Sequence, residues 1–202
     1  MTHPLLCIVV PCYKEKDNIN ALLNRTEKVF QDMKFPVRYA FVLVDDGSPD
    51  ATFTVIEEEA AKRDSVFGLR FSRNFGKEQA MTAGVAYAIQ TLKADAILCI
   101  DADLQHPPEY IPQFIRHWQA GDAVVVGVKN ATANLSLLKS LGSWAFGWLM
   151  QLFSEVEILK NSTDYRLLDK KVAKIVLRMR EHSRLFRGLV DWTGFRRGYV
   201  FF

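Results

Sequence analysis

The stretch that decides the fold reads Ala96-Ile97-Leu98-Cys99-Ile100-Asp101-Ala102-Asp103-Leu104-Gln105. It opens with a short apolar run, which is typical of a buried strand, and passes directly into an acidic turn. Residues two apart in an extended segment point the same way, so Asp101 and Asp103 can address one point. Carboxylates with open coordination positions suit Mg²⁺ or Mn²⁺, whose remaining ligands are substrate phosphates. The stretch therefore predicts a buried strand that ends in a metal and phosphate site.

Short apolar runs of the same kind lie on both sides of this stretch, each ending in polar or glycine-containing residues. They cover residues 5–10, 39–44, 66–71 and 123–128, and the run 199–202 is also strand-like. Helix-like stretches separate them, at 18–30, 52–62, 78–92 and from Pro107 to Trp118. Strands that alternate with helices predict an α/β fold, with a mostly parallel sheet flanked by helices on both faces. Ligands of such sheets collect at the carboxyl ends of the strands.

Size and composition restrict the class of protein. The chain has 202 residues, 49% of them hydrophobic, which predicts a single domain over residues 1–202. A formal net charge of +3 is too small to indicate nucleic acid as a partner. Cys7, Cys12 and Cys99 have no disulfide or zinc spacing, so we expect a reducing, cytosolic setting. The first apolar run is too short for a signal peptide.

Two further polar clusters follow the first and second predicted strands. In Pro11-Cys12-Tyr13-Lys14-Glu15 an aromatic ring beside a carboxylate can stack on a base and accept ribose hydroxyls, although an ordinary strand exit also explains it. In Asp45-Asp46-Gly47-Ser48-Pro49-Asp50, glycine and proline favour a turn and Asp50 can cap the next helix. Two adjacent carboxylates repel each other unless a cation or hydrogen-bond donors hold them. A ring N–H of a nucleotide base is one such donor.

These motifs, in this order and at these intervals, resemble family 2 glycosyltransferases with a GT-A fold. Within that family the likeness is to the polyprenyl-phosphate branch, which includes dolichyl-phosphate mannosyltransferases and bactoprenol glucosyltransferases. The segments that carry it are 11–15, 44–52, 72–77, 101–105, 163–168 and 184–190. The likeness therefore covers nearly the whole chain.

The resemblance implies a role for particular residues. The nucleotide pocket would be lined by Pro11, Tyr13, Glu15, Leu43 and Asp45, with Asp45 reading the base. Asp101, Ala102 and Asp103 would meet the diphosphate, and Asp101, Asp103 and Gln105 would hold Mg²⁺ or Mn²⁺. Asp164 takes the place of the catalytic carboxylate, together with Asp103. Arg166, Arg184 and Arg187 are candidate phosphate contacts, with an ordinary surface arginine as the alternative for each. Lys129 departs from the family pattern, because it stands where relatives commonly carry an arginine and a lysine cannot bind a phosphate bidentately.

The reaction implied by the resemblance is an inverting transfer of a sugar from a nucleotide diphosphate sugar, UDP-glucose or a similar donor, to a polyprenyl phosphate. It would take place at the cytoplasmic face of the cell membrane. Two alternatives stay open: a polysaccharide hydroxyl as the acceptor, and a shortened form that binds the donor without turnover. Members of the branch usually continue with further basic residues and, in many bacterial cases, two transmembrane helices, so the resemblance leads us to expect residues 1–202 to be the catalytic domain without that C-terminal membrane segment.

Residues 135–153 are rich in leucine, tryptophan and phenylalanine. They predict either a buried core helix or a helix lying in the bilayer interface. The arginines between 178 and 197 give a local basic excess, for which contact with phosphate or anionic lipid is one explanation and solvated surface the other. A membrane surface is thus an expected partner, and a homo-oligomer is left open.

Overall fold

The computed structural model describes residues 3–130, 161–179 and 186–202. Seven strands lie in these ranges: β1 (Leu5–Cys12), β2 (Arg38–Asp45), β3 (Val66–Arg70), β4 (Ala96–Cys99), β5 (Val124–Val128), β6 (Ser162–Asp169) and β7 (Arg197–Phe201). The described helices are α1 (Ile19–Asp32), α2 (Thr52–Lys62), α3 (Lys77–Gln90), α4 (Ile111–Gln119), α5 (Lys170–Arg178) and α6 (Phe186–Trp192).

The strands form one sheet in the order β3-β2-β1-β4-β6-β5-β7. Strand pairs β1/β2, β2/β3, β1/β4 and β5/β7 are parallel, whereas β6 is antiparallel to both of its neighbours. The predicted α/β fold with a mostly parallel sheet is confirmed, and the five predicted strands and the strand-like C-terminal run are all present. The sequence did not predict β6.

The core lies in two layers because side chains alternate along each strand. On β1, Leu6, Ile8 and Val10 face one layer, whereas Cys7 and Val9 face the other. The first layer is covered by α1, α2 and α4, and the second by α3, α5 and α6. Both faces of the sheet are therefore buried, which leaves the strand ends as the place for a ligand.

The helix predicted from Pro107 begins later than expected. Pro108–Tyr110 form a 3-10 turn, and α4 begins at Ile111. None of the described helices has the length and apolar character that a bilayer crossing requires. The predicted helical segment 135–153 lies outside the described residues.

Candidate active site

The carboxyl ends of β1 and β4 meet at one edge of the sheet, beside the loop that follows β2. They line a cavity of about 330 Å³ together with the start of α3. Strand β6 runs in the opposite direction, so its first residues reach this same edge. The cavity is lined by Pro11, Cys12, Tyr13, Glu15, Asp46, Asn74, Gly76, Lys77, Asp101, Ala102 and Asp103. The predicted base, ribose and diphosphate contacts of β1 and β4 are thus brought together.

A second cavity, of about 390 Å³, lies beside the end of β2 and is lined by Gly47, Ser48, Arg70, Phe71 and Ser72. The fully buried carboxylate of Asp45 contacts its lining. Asp45 Oδ1 accepts a hydrogen bond of 3.1 Å from the Ser48 N–H. Its Oδ2 lies 3.5 Å from Arg70 Nε, close enough for an ion pair, but accepts no hydrogen bond from the described residues. A buried acceptor without a donor is costly, so this oxygen fits an incoming N–H group.

Asp46 has its donors within the protein. Its two carboxylate oxygens accept hydrogen bonds from the backbone N–H groups of Phe75, at 2.7 Å, and Gly76, at 2.9 Å. The adjacent carboxylates of Asp45 and Asp46 therefore have different tasks. Asp46 fixes the loop that leads into α3, and α3 begins at Lys77.

An ion-pair chain connects β4, α3, β6 and α6. Lys77 Nζ lies 2.6 Å from Asp101 Oδ1 and 2.9 Å from Asp164 Oδ2. The other oxygen of Asp164 lies 3.0 Å from Arg187 Nε and 2.9 Å from Arg187 Nη2. The predicted catalytic carboxylate, Asp164, is thus held between two cations beside the predicted metal ligand Asp101.

These contacts shift the pKa values of Asp164 and Lys77. Partial burial raises the pKa of Asp164, but the hydrogen bond and charge of Lys77 and the charge of Arg187 outweigh it, so that pKa lies below its usual value. Burial lowers the pKa of Lys77, and the hydrogen bonds to Asp101 and Asp164 more than reverse this, so that pKa is raised. Both groups are therefore charged at neutral pH.

Two exposed hydrogen bonds link Asp103, Gln105 and Lys129. Asp103 Oδ1 accepts a hydrogen bond of 3.0 Å from the Gln105 N–H, across a turn in which Leu104 has a φ of 61°. Gln105 Oε1 in turn accepts a hydrogen bond of 3.1 Å from Lys129 Nζ. Lys129 thus lies beside the predicted metal ligands rather than apart from them.

The donor set decides which kind of metal site these residues fit. Asp101 and Asp103 line the same cavity. Within the described ranges, no group of three or more His, Cys, Asp or Glu side chains is arranged to hold a metal ion. Two carboxylates with open positions match the way Mg²⁺ is bound together with substrate phosphates. The residues therefore fit a divalent cation shared with a phosphorylated ligand, not one caged by the protein alone.

His106 lies beside the site, although its sequence context did not predict this. It is 4% exposed and its ring stacks on Tyr165, with 5.2 Å between the ring centroids. Its Nδ1 accepts a hydrogen bond of 3.3 Å from the Asp101 N–H and lies 3.7 Å from Asp101 Oδ2. Burial lowers the pKa of His106, and the negative charges of Asp101 and Asp103, which act to raise it, only partly offset this effect. A neutral ring therefore supports the Asp101 turn from behind.

Two of the predicted contacts lie in the interior of the described structure. Leu43 has no exposed surface, packs in the core layer covered by α1 and α2, and is not among the residues that line either cavity. Arg166 is 2% exposed; its Nη1 lies 2.8 Å from Asp191 Oδ1, and its Nε donates to the Thr163 carbonyl at 3.0 Å. Arg166 therefore joins β6 to α6 in the interior and does not face the cavity as a phosphate contact would. Arg184 lies outside the described residues.

Comparison with known proteins gives the family. The family model described as Glycosyl transferase family 2 matches residues 7–179. A bactoprenol glucosyl transferase of Shigella phage SfV is 34% identical over 189 residues, which are 94% of this chain and 60% of the relative. The chain spans about three fifths of the length of the curated relatives it matches.

Two solved structures share the fold. One is the mannosyltransferase PcManGT from Pyrobaculum calidifontis in complex with GDP-Man and Mn²⁺, with a TM-score of 0.66 and 16% identity, covering 99% of this chain and 55% of that one. The other is glucosyl-3-phosphoglycerate synthase from Mycobacterium tuberculosis in complex with Mn²⁺, UDP-glucose and phosphoglyceric acid, with a TM-score of 0.61 and 15% identity, covering 98% and 69%. The predicted GT-A fold is thereby confirmed. The chain belongs to glycosyl transferase family 2.

Proposed function

We propose that this chain, as a single domain, transfers a sugar from a nucleotide diphosphate sugar to a polyprenyl phosphate at the cytoplasmic face of a membrane, with inversion at the anomeric carbon. The observation that carries the proposal is the placement of four carboxylates on one sheet edge. Asp45 lies beside one cavity, and Asp101, Asp103 and Asp164 lie at the neighbouring one. The name of the phage relative supports a lipid phosphate as the acceptor.

The donor would lie across both cavities. Asp45 Oδ2, which accepts no hydrogen bond from the described residues, would accept one from a ring N–H of the base, and Tyr13, which is 41% exposed, offers its ring for stacking. Glu15 can accept a ribose hydroxyl. Uridine and guanosine both carry a suitable N–H, and likeness to the bactoprenol branch favours UDP-glucose or a similar UDP-sugar.

The diphosphate then reaches Asp101 and Asp103. These two carboxylates, with Gln105 beside them, would hold Mg²⁺ or Mn²⁺, which as a Lewis acid neutralises the leaving diphosphate. Arg187 and Lys129 provide positive charge near the same edge for phosphate groups. The protein's own cations therefore complement a polyanionic donor and an anionic acceptor.

The transfer is a single displacement. An oxygen of the acceptor phosphate forms a bond to the anomeric carbon while the bond from that carbon to the diphosphate oxygen breaks, and the nucleoside diphosphate leaves with the electron pair. A phosphate monoester has a second pKa of about 6, so it is largely dianionic at neutral pH and needs little help from a base. Asp164, ionised between Lys77 and Arg187, would orient the acceptor and steady the developing positive charge. With a hydroxyl acceptor it would serve as the general base.

A transfer assay tests the proposal. The chain is offered labelled UDP-glucose or GDP-mannose, with polyprenyl phosphate or a soluble oligosaccharide, in Mn²⁺ or in EDTA. We expect label from UDP-glucose in the lipid phase, and loss of that label in EDTA. Label in the oligosaccharide would instead identify a polysaccharide transferase. Donor binding without transfer to either acceptor would identify a donor-binding form, and absence of donor binding would refute the proposal.

A further inference from the structure

Lys77 makes contacts that the proposed reaction does not yet use. Its ammonium bridges the end of β4, through Asp101, to the start of β6, through Asp164. Asp164 has Arg187 as a second cation, whereas the other positively ionisable group recorded near Asp101 is His106, at 3.7 Å. Lys77 is therefore the close cation of Asp101 among the described residues.

The position of Lys77 is fixed by the protein. The two preceding residues donate their backbone N–H groups to Asp46, which is itself 3% exposed. Gly76 has a φ of 100°, a conformation that favours glycine. The anchored loop, with its positive φ at Gly76, places Lys77 between the carboxylates of Asp101 and Asp164. The backbone therefore fixes the position of this bridge.

The bridge conflicts with the proposed metal site. Mg²⁺ binds carboxylate oxygens at about 2.1 Å, whereas the ammonium lies 2.6 Å from Asp101 Oδ1. Two cations on one carboxylate oxygen would repel each other strongly at such a separation. A metal that binds Asp101 through Oδ1 would therefore displace Lys77 from that oxygen.

We propose that Lys77 is the resident counter-ion of Asp101 in the donor-free enzyme, and that it releases Asp101 to the arriving metal and binds the donor's diphosphate instead. The inference rests on the proposed function. It gives Lys77 two opposite effects: it competes with a divalent cation that comes alone, and it assists a nucleoside diphosphate that comes with the cation. Asp164, which keeps Arg187, does not lose its charge partner in the exchange.

The test measures both effects with defined probes. Binding of Mn²⁺ alone is followed by electron paramagnetic resonance of the free ion, and binding of UDP in saturating Mn²⁺ by calorimetry. In Lys77→Gln the Kd for Mn²⁺ should fall about fivefold, as expected for removing one competing charge at a partly exposed site. The Kd for UDP should rise by a similar factor. Lys77→Arg, which keeps the charge, should hold the Mn²⁺ Kd close to wild type.

Lys170 offers a matched control. Its ammonium lies 2.8 Å from Asp95, with 52% of its side chain exposed against 43% for Lys77, but at the opposite edge of the sheet. Lys170→Gln should change neither Kd. Lys77→Met covers the case in which the glutamine variant does not fold, as judged by thermal melting.

The outcomes separate the two proposals. Tighter Mn²⁺ binding with weaker UDP binding supports the exchange. An unchanged or weaker Mn²⁺ affinity in Lys77→Gln, or an unchanged UDP affinity, overturns it even if the wild type binds UDP. If wild-type protein binds neither UDP nor GDP in Mn²⁺, the proposed function itself fails, whatever Lys77 does.

Discussion

Arg166 and Asp191 form an ion pair in the interior of the protein, with 2.8 Å between Nη1 and Oδ1 and side chains that are 2% and 7% exposed. The pair joins β6, which carries Asp164, to α6, which carries Arg187. Asp164 and Arg187, which meet at the sheet edge, are therefore held by a second pair of residues beneath them.

Removing one member of this pair should destabilise the fold. Asp191→Ala leaves an unpaired guanidinium in the interior, for which we expect a loss of about 3–5 kcal/mol in the free energy of unfolding. Urea denaturation measures it. The exposed pair of Arg25 and Glu109, with side chains 42% and 53% exposed, gives the control, because Glu109→Gln should cost at most about 1 kcal/mol. Equal losses in the two variants would contradict the structural role of the buried pair.

Asp45→Asn should weaken donor binding. The asparagine replaces a charged acceptor with a neutral amide, one of whose positions carries an NH₂ group, so the base loses a charge-assisted hydrogen bond. We expect about a ten- to hundredfold rise in the Kd for UDP. Calorimetry in Mn²⁺ measures it, with Asp95→Asn at the far edge as a variant that should bind like wild type. Wild-type affinity in Asp45→Asn would remove Asp45 from the base site.

Asp164→Asn should reduce but not abolish transfer to a lipid phosphate. Because Lys77 and Arg187 keep the pKa of Asp164 low, the carboxylate stays ionised through neutral and mildly acidic pH. The rate should instead fall as the pH drops through about 6, where the acceptor phosphate gains a proton. This fall in rate at acidic pH should be the same in wild type and variant. Complete loss of transfer by Asp164→Asn at every pH would make Asp164 an obligatory base.

Gly47→Ala should disturb the edge by two separate effects. Gly47 has a φ of 66°, and an added Cβ would collide with the backbone of Arg73. Gly121 also has a positive φ, of 98°, but an added Cβ there meets nothing within 4 Å. Both alanine variants carry backbone strain of about 1–3 kcal/mol, and only Gly47→Ala adds the collision. Thermal melting should therefore show a larger loss for Gly47→Ala, and an equal loss would contradict the close approach.

The three cysteines should resist thiol reagents in the native protein. Cys7, Cys12 and Cys99 are at most 1% exposed. Burial raises the pKa of Cys7 to about 12 and raises those of Cys12 and Cys99 as well, so the reactive thiolate is scarce at neutral pH. An aromatic disulfide reagent should react with them only after unfolding. Cys12 is one of the residues that line the cavity of about 330 Å³. Rapid reaction of Cys12 would show that this cavity opens further than the structure indicates.

The parallel part of the sheet could be predicted because its strands are uninterrupted apolar runs, such as Leu5–Cys12 and Ala96–Cys99. Strand β6 escaped prediction because its first half, Ser162 to Arg166, mixes polar and apolar residues. Its edge-facing end needs polar side chains for the site, which removes the hydrophobic signal on which strand prediction depends. The site residues that β6 carries were therefore placed by resemblance to a family, and not by their pattern.

Residues at strand ends could be predicted for a different reason. Parallel topology alone brings the ends of β1 and β4 together, so Glu15 and Asp101 share a cavity whatever their side-chain packing. The burial of Arg166 could not be predicted in this way, because its partner Asp191 comes 25 residues later on a helix. For the same reason His106 gave no signal, since its role depends on stacking against Tyr165.

Side chains along β6 point alternately to the two sides of the sheet, which affects how the strand tolerates an inserted residue. Asp164 and Arg166 are two residues apart, so both side chains lie on the same side of the strand. Asp164 lies nearer the strand end, where it contacts Lys77, whereas Arg166 lies deeper, where it pairs with Asp191. Inserting a single residue between them would turn Asp164 over to the side occupied by Tyr165, away from Lys77. The spacing between Asp164 and Arg166 therefore keeps the carboxylate on the side of Lys77 and Arg187.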